Sequence, residues 1–345
     1  MRYTICKVSF IISTLMFLVS CNTIDASNFN SGYFVGVISF NKTKKVSFIN
    51  QYNEKGEETN KIKFSIEGMG YLDDFIPFDD KNFYVKASNV LSKNGKNYLI
   101  EVDKLTNRYS KIDLDLDDIY KIIVKDKKIY ITHSINKFSV YDKRKEEIVE
   151  TIKLDDYITG KFHVDESKIY LFSREGKEKS FLNILNEENL ELIEKIDITK
   201  FGLYQNDVFY DDGKVYFTNY DISSNNKLGK IGIYNTKSGE FSHINVGSKN
   251  LDKIRVHDDK IYVTIKGDEN NTLKDTVMVI NRNSFLSDKL NLEYNIKVFD
   301  IIEDKIFILS DKYLDIYDEN LDLYQRIKLS IDRESVVSGI IVYDS

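Results

Sequence analysis

The chain reads as an all-β, seven-bladed β-propeller of four-stranded antiparallel blades, and three observations predict it. A strand–turn–strand string recurs at a near-constant step, each copy has room for four short strands, and the two termini each carry part of one further copy. Residues 253–265, KIRVHDDKIYVTI, show the unit. A strand leads into a two-residue turn at Asp258 and Asp259, and a second strand rich in β-branched and aromatic residues follows.

The residues ahead of the first copy are text of another kind. Arg2 and Lys7 are basic, and the apolar run Val8 to Val19 is too short to span a bilayer but suits a signal-peptide core. It ends in Leu18-Val19-Ser20-Cys21, which resembles a bacterial lipobox. A cleaved ordinary signal peptide and an uncleaved anchor are the alternatives; the cysteine at the end of the apolar run favours lipidation. The expected organisation is a lipoprotein signal peptide over 1–20, a lipidated tether over 21–31 and a single propeller domain over 32–345. Acyl chains on Cys21, worth about 0.8 kcal/mol per buried CH₂, would hold the protein on the outer side of the cell membrane without a spanning helix.

With Cys6 removed and Cys21 acylated, no thiol is left for a disulfide, a nucleophile or a metal. Loss of Arg2 and Lys7 takes the formal charge from −6 to −8, which disfavours nucleic acid as a partner. At 42% hydrophobic and 30% charged residues, the chain has the composition of a packed globular protein.

From there the copies align on an aromatic residue of the second strand. The N-terminal copy, GYFVGVISF, VSFINQYN and TNKIKFSI, supplies second, third and fourth strands, with Phe34 at the aromatic position. DDKNFYV gives Tyr84, KDKKIYI Tyr130, DESKIYL Tyr170, DDGKVYF Tyr216, DDKIYV Tyr262 and EDKIFI Phe307, in steps of 46, 40, 46, 46 and 45 residues. Third strands at 98–102, 138–141, 181–185, 230–234, 276–280 and 313–317 run into Asp103, Asp142, Asn186, Asn235, Asn281 and Asp318. Asp and Asn there are turn formers, because their side chains accept backbone N–H groups two residues on. Fourth strands follow, as at 148–154 and 324–329. The first strand missing at the N-terminus is supplied by Gly339 to Asp344, whose character matches Tyr120 to Asp126. Pairing the two ends closes the ring and removes its exposed edges.

This cadence of second strand, hydrophobic third strand and Asp/Asn turn is similar to that of bacterial seven-bladed propellers of the YVTN and quinoprotein-like superfamily, over about residues 32–345. The strict YVTN string, the Gly-His and Trp-Asp marks of WD40 blades, and stacking tryptophans are absent. The resemblance implies a fold and a surface location; it does not imply a function.

Chemistry is sparse. His133, His163, His243 and His257 form no HxH or HxxxH pair, and there is no Gly-x-Ser-x-Gly elbow, P-loop or dinucleotide fingerprint. Neither a metal nor a cofactor is expected. Asp113, Asp115, Asp117 and Asp118 alternate with leucines and read as the outward face of a fourth strand rather than a calcium loop. His163 and His257 stand just before acidic turns on first strands, with Lys161 and Arg255 two residues earlier, and first strands line a propeller's channel. These four either face a common ligand or are polar strand ends. Links between second and third strands, short at 134–137 and 310–312, are long at 87–97, 173–180, 219–228 and 266–275. They bring Arg174, Lys177, Lys179, Tyr220, Asn225, Asn226, Asp268 and Glu269 to one face, as binding residues often are, or serve as solvated spacers. The leading expectation is a non-catalytic module binding a protein, peptide or glycan on that face. The alternative is an extracytoplasmic hydrolase or lyase with its site in the channel.

Overall fold

The structure is a computed structural model that describes residues 34–41, 43–66, 68–70, 76–88, 96–220, 229–267 and 274–343. Cys21, the apolar run before it and the tether lie outside them, as do Asn225, Asn226, Asp268 and Glu269. The described residues form six four-stranded antiparallel sheets and one three-stranded sheet, the seven blades of a propeller, numbered I to VII from the N-terminus. The innermost strands are Lys121–Lys125 in blade III, Tyr157–Val164 in IV, Tyr204–Asp211 in V, Leu251–His257 in VI and Val298–Ile302 in VII. In blade I that place is taken by the C-terminal strand Ser335–Val342, which pairs with Val35–Asn41 and closes the ring.

Turn chemistry sets the register. Between first and second strands, Asp126, Asp212, Asp258 and Glu303 adopt left-handed backbone with φ of 51°, 43°, 51° and 51°. After each third strand the predicted Asp or Asn accepts backbone N–H groups through Oδ1, at Asp103, Asp142, Asn186, Asn235, Asn281 and Asp318. Asn53 does the same in blade I.

The aromatic positions are the packing centres. Tyr84, Tyr130, Tyr170, Tyr216, Tyr262 and Phe307 are at most 2% exposed, and each lies in the apolar layer shared with the following blade. Two of the hydroxyls meet the residue that follows the turn Asn of the next blade: the Tyr130 hydroxyl donates to Glu187, and Arg282 Nη2 donates to the Tyr216 hydroxyl at 2.9 Å; the Tyr84 hydroxyl instead donates to Asp79 of its own blade at 2.8 Å. A buried ring thereby keeps a satisfied polar end.

The aromatic position of blade I is not Phe34. Lys128 pairs with the turn residue Asp142, and Tyr130 lies two residues on; in blade I the register that sets Val35 against Tyr52 places Gly36 there. A Cβ at Gly36 would lie 3.3 Å from Cε2 of Tyr343, whose ring fills the space from the C-terminal strand. Tyr343 packs edge-on against Phe83 of blade II at 5.3 Å and accepts a 2.7 Å hydrogen bond from Gln51.

Two further differences concern loops. The link expected over 173–180 is a tight turn, because the strands run to Glu175 and resume at Lys179 with Gly176 at φ 57°. Blade II is three-stranded among the described residues. Its single proline, Pro77, has no N–H to give, although its carbonyl accepts the Tyr84 N–H at 2.9 Å.

Candidate functional site

The channel and one end face are the two places where charged or aromatic side chains converge. On the innermost strands, His163 stands opposite Tyr170 and Arg255 opposite Tyr262, so these two are equivalent, while His257 pairs with Lys260 nearer the turn. The expected equivalence of His163 with His257 is therefore off by two residues, because the blade IV strand continues through Val164 to Asp165 before turning.

Arg255 is consumed by the fold. Its Nη1 lies 2.6 Å from Asp207 of blade V, and its Nε and Nη2 lie 2.7 and 3.2 Å from Asp300 of blade VII, so one guanidinium ties three successive innermost strands. Burial by itself raises the pKa of Asp207, but Arg255, together with Lys253, Lys121 and Lys161, outweighs it and holds the carboxyl below its ordinary range. Burial likewise disfavours the Arg255 cation; Asp300 and Asp207 reverse this and push it above its usual value. Arg255 is thus a structural cation rather than an open ligand group.

His163 stacks on Tyr210 at 4.5 Å with the rings 7° apart. Burial, helped by the nearby cation of Lys121, lowers its pKa to about 4, so it is neutral at pH 7. His257 sits at the rim, with Nε2 3.1 Å from Asp304. Lys161 has no hydrogen-bond partner among the described residues and acts on Asp207 through its charge. The four channel candidates therefore do not converge on one point. A cavity of about 200 Å³ opens among Lys86, Lys121, Asp207, Phe209, Arg255 and Asp300. No group of three or more His, Cys, Asp or Glu able to hold a metal occurs among the described residues.

The second place is a cleft of about 440 Å³ at the ends of blades III, IV and V, on the face where second and third strands connect. Arg174 is the penultimate residue of the second strand of blade IV, Lys168–Glu175. Its guanidinium lies 4.8 Å from the centroid of Tyr204 and 5.8 Å from that of Tyr157, and Nη1 donates to the Tyr204 hydroxyl at 3.0 Å. Tyr157 and Ile135 are about half exposed, at 50% and 49%. Tyr120, Gln205 and Asn206 complete the walls. Of the loop residues named from sequence, Arg174 is in the cleft and Lys177 is exposed in the adjoining turn. The backbone of Tyr220 pairs with Tyr204, and its side chain lies outside the description. Tyr120, Tyr157 and Tyr204 were not singled out from sequence; the available signal was a tyrosine at or just before the start of three successive innermost strands.

Fold and site together define the class: a seven-bladed β-propeller with an aromatic, arginine-bearing cleft on one face. Solved propellers are similar to it in shape. BamB from Moraxella catarrhalis is 11% identical over 85% of both chains with a TM-score of 0.51. The dihydro-heme d1 dehydrogenase NirN is 11% identical over 89% of this chain and 75% of its own, at 0.56. Hydrazine synthase of Kuenenia stuttgartiensis is 15% identical over 81% and 90%, at 0.59. At such identity the likeness speaks for the fold alone. No family model and no curated protein sequence matches the chain.

Proposed function

We propose that this protein is a lipid-anchored, extracytoplasmic propeller that acts as a non-catalytic binding module, holding a protein, peptide or glycan partner against the cleft face. The observation that carries the reading is the cleft itself. Tyrosine and arginine are the residues that dominate binding hot spots, and here Tyr157 is exposed and Arg174 and Tyr204 half-buried at the cleft instead of buried in a blade interface. The main charges of the channel, by contrast, pair with one another across blades V, VI and VII. The lipobox-like Leu18-Val19-Ser20-Cys21 supports the anchor. Crosslinking the protein in envelope extract and comparing wild type with Tyr157→Ala tests the reading: a partner captured by the first and lost from the second is expected, and no specific partner under several crosslinking chemistries would contradict it.

A second reading, a hydrolase or lyase acting in the channel, is favoured by the cavity beside Lys121 and Asp207. Its test is Lys161→Ala, which breaks no hydrogen bond among the described residues and would abolish turnover in a screen of ester and lactone substrates.

A further inference from the structure

We infer that the cleft between blades III, IV and V takes an acidic segment of polypeptide, with a carboxylate on Arg174 and the neighbouring apolar side chain over Ile135 and Tyr157. The inference names the ligand class of the binding site proposed above and rests on that reading.

Arg174 differs from three other arginines of the propeller. Arg255, Arg282 and Arg326 each ion-pair with an aspartate, at 2.6, 2.7 and 2.8 Å. Arg174 has no carboxylate partner among the described residues; the Tyr204 hydroxyl and, at 3.4 Å, the Gly176 carbonyl take Nη1, and ring stacking holds the plane in place. Its Nε and Nη2 donors are left for a planar acceptor, and a carboxylate matches that fork with two parallel hydrogen bonds.

Ile135 is the second departure. It occupies left-handed backbone at φ 70°, following Ser134 at 47°, in the turn between the second and third strands of blade III. A β-branched residue is strained in that conformation, and glycine or asparagine serves such turns elsewhere. Neither packing nor solubility calls for an isoleucine that is half exposed there. A strained backbone that holds an apolar side chain out over a cleft is what a contact with a partner requires.

The chemistry favours a peptide over a sugar. Sugar rings stack on bare aromatic faces, and the guanidinium already covers one face of Tyr157 and of Tyr204. The lining residue Gln205 and its strand partner Asn219 also have unmet polar capacity. Gln205, 4% exposed, donates through Nε2 to Gly202 and Asn219, yet its Oε1 and the Asn219 Nδ2 have no partner among the described residues. A side-chain rotation would offer them to the N–H and C=O of an extended peptide. The net charge of −6 repels an acidic ligand at long range, so recognition rests on the short-range contacts of the cleft.

The experiment selects a phage-displayed random 12-residue peptide library on the full-length protein in detergent, and measures the selected peptides against variants and against an oligogalacturonate. The expected result is peptides with an Asp or Glu beside an apolar residue, bound about 10- to 100-fold more weakly by Arg174→Gln at an unchanged melting temperature. Ile135→Gly, which relieves the strained turn, should melt no lower than wild type yet bind about tenfold more weakly. No peptide enrichment, or binding of the oligogalacturonate in its place, overturns the inference. If Tyr157→Ala abolishes peptide binding while Arg174→Gln leaves it intact, the cleft is the site and the acidic preference is refuted.

Discussion

Removing the ring of Tyr343 tests how the propeller is closed. Tyr343 is 7% exposed, packs on Phe83 and stands where Gly36 leaves room for it. Truncating a large buried aromatic to alanine costs about 3–5 kcal/mol, within which an edge-on aromatic pair accounts for about 1 kcal/mol. A loss of about 4 kcal/mol is therefore expected for Tyr343→Ala. The unit Gly32–Ser345 spans roughly 310 residues; at about 2.1 cal/mol/K per residue its unfolding entropy is about 0.65 kcal/mol/K, so the melting temperature should fall by about 6 °C. Tyr343→Phe, which loses the hydrogen bond from Gln51 and keeps the ring, should fall by about 1–2 °C. Leu105→Ala, at a side chain 80% exposed, should change nothing measurable. Differential scanning calorimetry on the three variants decides it. A shift below about 1 °C for Tyr343→Ala would refute the idea that the C-terminal strand locks blade I to blade II through this ring.

Other consequences follow from the buried charges. Arg255→Met leaves Asp207 and Asp300 without their cation and should cost about 3–5 kcal/mol in urea unfolding, with much of it regained when both aspartates become leucine; a cost under about 1 kcal/mol would show that the pairs hold nothing together. His133 and His163 both have pKa values lowered by burial to about 4, against an ordinary 6.5. A lowered folded-state pKa means that the unfolded chain takes up protons first, so the stability these residues contribute is complete above pH 6.5 and is lost as pH falls towards 4, by up to about 3 kcal/mol each. His163→Phe, which keeps the stack on Tyr210, should flatten the decline in urea midpoint between pH 6.5 and 4.5; a profile parallel to wild type would contradict it. Asp79, where hydrogen bonds led by that from Lys143 overcome burial and bring the pKa to about 2, adds its loss only below pH 4.

What was legible in the sequence and what was not divides along physical lines. Periodic aromatics and turn residues are local signals, and Tyr130, Tyr216 and Asp142 occupy the packing and turn positions their spacing predicts. The ring closure was legible because a strand pattern at the C-terminus had no copy of its own to complete. Register within a blade was not, since the count from strand to aromatic depends on where a strand turns; hence Gly36 in place of Phe34, and His163 aligned with Arg255. The pairing of Arg255 was hidden for a different reason. Asp207 and Asp300 lie 48 and 45 residues from Arg255, and only the ring brings them to it, so an arginine that looks free in the sequence is paired in the fold. The cleft likewise assembles tyrosines from three blades, which no single stretch of sequence displays.

The central claim is that the cleft face, not the channel or the opposite face, meets the partner. A photoreactive phenylalanine analogue placed at Tyr157, or at the exposed Phe285 on the turns of the opposite face, reports this directly in intact envelopes. The account predicts a discrete covalent adduct from position 157 that position 285 does not form. An adduct from 285 with none from 157 would contradict it.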